Sequence, residues 1–183
     1  MKVEGTRSFD APRQIVWDVL NDPNRLAKTM PGVESFDVQD DRHWRANVKI
    51  PLGLGGLKMS IDFTKMEERA PEFSKLAAKG TGVGAMMNME TSFDLADEGG
   101  ATNMHWEADV RIAGPVGSMG QRVLQPIVNQ QVRNVLDALD QQVQEAKSEG
   151  GGTGGAEQGV SPLSPEGYSN EPEGPTTSTE DPA

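Results

Sequence analysis

Ala113 to Lys147 reads as one long helix with a single apolar stripe, and a stripe of that length must be covered. Met119, Val123, Ile127, Val128, Val132, Val135, Leu136, Leu139, Val143 and Ala146 recur at the three-or-four spacing of one helical face. Gln, Asn, Arg and Asp fill the opposite side. Gly114 and Pro115 break the preceding run, and Pro115 suits a first helical turn, where a missing N–H costs nothing. Pro126 lies inside the pattern and predicts a kink, not a stop. The rest of the chain must supply a surface for this stripe.

It does so by alternation. Val3 to Phe9 reads as a short strand. Asp10 is placed to cap a helix over Arg13 to Leu20, with Pro12 at its start. Ile15, Val16, Val19 and Leu20 give that helix an apolar side, and Trp17 belongs with them in the core. Asp22-Pro23 opens a second short helix through Ala27, stopped by Met30-Pro31-Gly32. Six strand-like runs follow. Val33 to Val38 is the first, and Phe73 to Lys79 is the weakest. In the other four the inward phases are Trp44, Ala46, Val48, Ile50; Leu57, Met59, Ile61, Phe63; Met87, Met89, Thr91, Phe93, Leu95; and Met104, Trp106, Ala108, Val110, Ile112. Period two means one wet face and one buried face, hence an antiparallel meander. The predicted fold is α+β: a curved antiparallel sheet of about seven strands wrapped around the long C-terminal helix, with two short helices after the first strand. Such a grip leaves a cavity between sheet and helix.

Composition sets the limits. From Ser148 on, Gly, Ser, Pro, Thr and Glu dominate, with no Lys or Arg, so the predicted domain is 1–147 and 148–183 is a disordered acidic tail. The net charge is −11, and seven of the acids lie in the tail, which leaves −4 on the domain. An acidic domain without a basic patch excludes nucleic acid as the expected partner. The absence of cysteine removes disulfides, thiolate catalysis and zinc–thiolate sites. No apolar run has the length of a membrane span or a signal-peptide core, so a cytoplasmic location is expected.

Turn parity adds a functional hint. The turns at Asp40-Asp41-Arg42, Ala70-Pro71-Glu72 and Asp97-Glu98-Gly99-Gly100 fall at one end of a meander and are polar and acidic. Met30-Pro31-Gly32, Pro51 to Gly56, Gly80 to Met86 and Gly114 to Gly117 fall at the other. That end is rich in Gly and carries Met30, Leu52, Leu54, Val83, Met86 and Val116, the composition of a pocket mouth or docking surface.

Three stretches carry a resemblance. They are Phe9-Asp10-Ala11-Pro12 with Val16-Trp17; Asp22-Pro23, Leu26-Ala27 and Met30-Pro31-Gly32-Val33-Glu34; and Gly114 to Arg122, GPVGSMGQR. Together they resemble the carbon monoxide dehydrogenase G-subunit (CoxG) family of the START/Bet v 1-like superfamily, over the whole predicted domain. The resemblance implies a non-catalytic accessory protein of molybdenum-containing hydroxylase-type dehydrogenases. It implies membrane recruitment of that enzyme, at the inner face, and a quinone carried in the cavity with no tightly bound cofactor. This tail lacks the amphipathic segment an anchor needs, so any transient peripheral contact falls to the loop end.

The candidate ligand-binding residues are Trp44, Met59, Ile61, Phe63, Met87, Met89, Phe93, Met104, Trp106, Met119, Val123 and Ile127. They read equally as plain core, because Met fills gaps as readily as it lines adaptable sites. Few large rings fall on the inward phase, which favours an unfilled slot for a prenyl or similar chain. Arg122 is either a surface charge or a donor to a quinone oxygen at the mouth. His43 and His105 fall on exposed positions without a ligand set, so no metal and no catalytic residue is assigned. Gly80-Thr81-Gly82-Val83-Gly84 lacks the following helix of a phosphate loop. A polyketide cyclase or dehydratase would need an inward His, Asp, Glu or Arg, and the alternation places none there. A ligand-free docking or assembly factor is the third reading. Deleting residues from Gly150 to Ala183 is expected to leave the melting temperature and ligand binding unchanged; a large loss of melting temperature would refute the boundary.

Overall fold

The computed structural model describes residues 1–52 and 55–151. Its elements are β1 (Lys2–Phe9), α1 (Arg13–Asn21), α2 (Pro23–Thr29), β2 (Val33–Val38), β3 (His43–Leu52), β4 (Gly55–Arg69), β5 (Phe73–Gly82), β6 (Ala85–Glu98), β7 (Ala101–Ala113), a 3-10 turn (Gly117–Met119) and α3 (Gln121–Gly151). The seven strands form one sheet in the order β1-β7-β6-β5-β4-β3-β2. Every neighbouring pair is antiparallel. The meander runs from β2 to β7, and β1 closes on the free edge of β7 with Gly5 opposite Trp106. With the three helices this is the predicted helix-grip architecture.

Alternation dictates the faces. Along β3, His43, Arg45, Asn47 and Lys49 are exposed while Trp44, Ala46 and Val48 are buried. A clean period of two leaves one face for water and one for the interior.

The helices begin differently from the sequence reading. Asp10 does not cap α1: the N-cap is Pro12, with no side-chain cap, and Asp10 instead accepts from Lys147 Nζ at 3.1 Å. Asp22 does cap α2, accepting from the Asn24 and Arg25 amides at 2.8 and 3.4 Å. The long helix starts at Gln121, not near Pro115. Gly114 (φ 86°) and Gly120 (φ 79°) hold a left-handed backbone that side chains disfavour, and they bracket the 3-10 turn. α3 runs on through Pro126 and continues to Gly151. Residues 148–151, assigned to the tail by composition, are therefore helical, and the rest of the predicted tail lies outside the described residues.

One end of α3 is seated in a packed core. Leu139 and Val143 join Phe9, Ala11, Val16, Trp17, Val19, Leu20, Phe93, Leu95 and Met104 in one cluster. Each large apolar side chain of this kind contributes about 1.5–3 kcal/mol on burial. Around it, Arg7 on β1 donates to Asp137 at 3.2 Å and Asp140 at 3.4 Å. Arg25 of α2 pairs with Glu149. Such partly exposed pairs add at most about 1 kcal/mol each, so the apolar cluster fixes the helix and the ion pairs orient it. Thr102, fully buried, ties β7 to the β1–α1 corner through Ala11 O at 2.7 Å. Thr102→Val keeps the shape but leaves that carbonyl unpaired. It is expected to lower unfolding free energy by about 1–2 kcal/mol in a denaturant titration.

Candidate ligand-binding site

Away from that core, α3 touches the sheet at Val128 and Val132, which pack against Val3, Ala108 and Val110. Beside these contacts a cavity of about 360 Å³ opens between sheet and helix, within the roughly 300–1,000 Å³ range of small-molecule sites. On β7 its lining runs from Met104 to Ile112, roughly 26 Å at the usual strand rise. On α3 it runs from Leu124 to Leu139, roughly 22 Å at helical rise. It is therefore a slot along the helix, not a round chamber. Its lining includes the small side chains of Val3, Ala85, Ala108 and Val110, which leave volume that larger side chains would take.

The slot brings together Met59, Met87, Met89, Phe93, Met104, Trp106 and Ile127 of the predicted ligand-binding set. Leu52 and Val116, predicted at the mouth, line its loop end. Five predicted residues do not line it. Trp44 is buried and stacks on Phe63, ring centroids 5.8 Å apart. Ile61 is buried beside Ala46, Val48 and Ala78. These three sit where β3 and β4 curl away from α3, and alternation gives the face of a strand, not its distance from the helix. Met119 and Val123 are 46% and 44% exposed. Met119 lies before α3 begins, so the stripe cannot start there. Leu124 lines the slot in their place, with Val128, Val132, Val135, Leu136 and Leu139. Gln131 lines it too, and a polar side chain on the inner face gives no apolar signal. Met30 packs against the Ala46–Met59 cluster, Arg122 is exposed, and Leu54 lies outside the described residues.

Among the described residues, no side chain lining the slot is titratable. Two charges do face inward, against the expectation from alternation. Arg7 is on the inward phase of β1 but is paired with Asp137 and Asp140. Lys65 is only 9% exposed and pairs with Glu68 at 3.3 Å; the β4–β5 register shifts between Lys65 and Glu67, beyond the part of β4 whose alternation is legible. Neither lines the slot. His43 has an acidic neighbour after all: its Nδ1 is 2.9 Å from Asp40. The amide of Arg42 first, then His43, holds the Asp40 carboxyl below its ordinary range. On the outer face Lys2, by hydrogen bond and charge, holds Glu107 low. These perturbed groups are exposed and belong to turns and the wet face. No group of three or more His, Cys, Asp or Glu able to hold a metal occurs among the described residues.

The sequence pattern of the carbon monoxide dehydrogenase G-subunit (CoxG) family matches residues 5–144. No curated protein matches the sequence at a significant level. Among solved structures, a conserved protein from Geobacillus kaustophilus superposes with TM-score 0.75 at 20% identity, over 80% of this chain and 97% of that one. A START superfamily protein from Mycobacterium smegmatis gives 0.61 at 14% identity, over 79% and 97%. The ZhuI aromatase/cyclase from Streptomyces sp. R1128 gives 0.62 at 16% identity, over 85% and 98%. At these identities the likeness concerns the fold.

Trp106, which lines the slot, lies close against Gly5 of β1. A Cβ at Gly5 would lie 3.0 Å from Trp106 Cζ2. Gly5→Ala is expected to push the indole inward and reduce stability by about 1 kcal/mol. Chemical denaturation measures the loss, and a crystal structure shows the narrowed slot.

Proposed function

We propose that this chain, which belongs to the CoxG family, is a non-catalytic carrier that holds an apolar molecule between sheet and helix. The observation that carries the reading is the slot itself: long, apolar, and without a titratable group on its described wall. Water in such a slot gains little, and each methylene that replaces it contributes about 0.8 kcal/mol. A quinone with a prenyl chain suits the length and apolarity, and the family name supports a molybdenum-containing dehydrogenase as the partner that exchanges electrons with it. The chemistry of the carrier is partition and handover. Bond-making belongs to the partner.

The loop end is the proposed docking surface. Val83 is 93% exposed and Met86 56% exposed, beside the hairpin and the strand end that carry Leu52 and Val116 to the slot. Lys28, Lys49, Lys79 and Arg122, toward the same end, make no ion pair among the described residues. Apolar tips with a basic surround suit transient contact with an anionic membrane face, from which an apolar cargo could be drawn. A cyclase-type enzyme would need a working acid or base in the slot, and Arg7 and Lys65 are both paired outside it. A docking factor without cargo would leave the slot without a use.

Titration with a short-chain quinone tests the reading. Met87→Ala and Met89→Ala are expected to weaken binding about fourfold for each methylene that no longer touches the quinone. Met89→Arg is expected to abolish it while the alanine variants remain folded. Unchanged affinity across the series would remove the cargo from the slot.

A further inference from the structure

A short strap, residues 114–120, joins β7 to α3 at the loop end of the slot. Val116 in the strap and Leu124 in the first turn of α3 both line the slot, while Pro115, Ser118 and Met119 are exposed. The strap is braced within itself. The Ser118 amide donates to the Gly114 carbonyl at 3.1 Å, the Met119 amide to Val116 at 3.1 Å and the Gly120 amide to Gly117 at 3.3 Å. Ser118 Oγ donates to the Pro115 carbonyl at 2.6 Å.

Its attachments are few. Gly114 and Gly120 bracket it, both at positive φ, and glycine changes conformation at the least steric cost. Between those ends one backbone hydrogen bond among the described residues ties the strap to the sheet, from the Val116 amide to the Gly84 carbonyl at 2.9 Å. Gly117 is seated so closely that a Cβ there would lie 2.3 Å from the Ile112 carbonyl oxygen. A braced unit on two glycine pivots, held by one hydrogen bond and one close seat, can lift as a single piece.

Lifting it bares Val116, Ile112 and Leu124, all part of the slot wall. In water that exposure opposes opening; against an apolar phase it does not. Apolar side chains around the strap reach for such a phase. Met119, Val123, Val83 and Met86 are all exposed. Val83 precedes the Gly84 that holds the strap, and Met86 pairs with Ala113 at its root. We propose that the strap is the gate of the slot, closed in water and lifted when the loop end meets the apolar interior of a lipid bilayer. This inference rests on the carrier reading and adds to it the route of the cargo and the trigger for its exchange.

The chain has no cysteine, so a reversible lock can be introduced. A Cβ at Gly84 would lie 4.0 Å from Pro115 Cβ, inside the roughly 3.5–4.5 Å that a disulfide spans. Gly84→Cys is combined with Pro115→Cys in the full chain, and its oxidised and reduced forms are compared, so that any strain at Gly84 is common to both. Each form is loaded with diphenylhexatriene. Release is followed by stopped flow into two acceptors. One is phosphatidylglycerol–phosphatidylcholine vesicles bearing a nitroxide lipid that quenches arriving dye; the other is methyl-β-cyclodextrin in water. Wild-type release is expected to climb with vesicle concentration and to exceed release to cyclodextrin at least about tenfold. Oxidation of the lock is expected to slow release to vesicles at least about tenfold, and reduction to restore it. Gly117→Ala unseats the strap and is expected to speed release to cyclodextrin about threefold or more. Equal release from the oxidised and reduced lock, or unchanged release from Gly117→Ala, overturns the gate and leaves the carrier reading standing. Release that does not depend on vesicle concentration overturns the bilayer trigger. Wild type that takes up no dye overturns the gate and the carrier reading together.

Discussion

The seating of α3 on one half of the sheet governs the molecule. Leu139 and Val143 are gripped by α1 and the acidic ends of β6 and β7, and the partly exposed pairs from Arg7, Arg25 and Lys147 hold the same half in register. The other half of the helix touches the sheet through Val128 and Val132 against Val3, Ala108 and Val110, and leaves the slot beside that contact. The packed core fills one end of the space between sheet and helix, and the slot occupies what the core does not fill. A longer core would erase it; a shorter one would release the helix.

This division accounts for the distribution of charge. Ionisable side chains stay on the wet face, in the turns or at the helix flanks, where ion pairs are weak and solvated. The inward exceptions, Arg7 and Lys65, each have an acidic partner and lie outside the slot, as buried charge requires. What remains on the described slot wall is apolar apart from Thr91, Ser92, Trp106 and Gln131, none of which carries a charge. Such a surface holds molecules by burial and shape. Its methionines adapt to a flexible chain at little rotamer cost.

Much of this is legible in the sequence because period two and period three-or-four are steric signatures. The sheet, the two short helices and the inward phase of β6 and β7 follow from them directly, which is why Met87, Met89, Phe93, Met104 and Trp106 fall together. Three kinds of information are not legible. Alternation does not report curvature, so Trp44, Ile61 and Phe63 share the inward face yet stand away from the helix. Backbone sign is invisible in an apolar pattern, so Gly114 and Gly120 displace the helix start and leave Met119 outside it, while Val123 falls in the exposed first turn of α3. A polar residue on an apolar stripe gives no apolar signal, so Gln131 escapes the pattern although it lines the slot.

The central claim is that the space between sheet and helix is occupied by an apolar molecule in the working protein. Organic extraction of the purified full chain, followed by mass spectrometry, tests it most directly. A near-stoichiometric apolar molecule, such as a prenylated quinone, is expected in the extract. A chain that purifies empty and takes up no added quinone would contradict it.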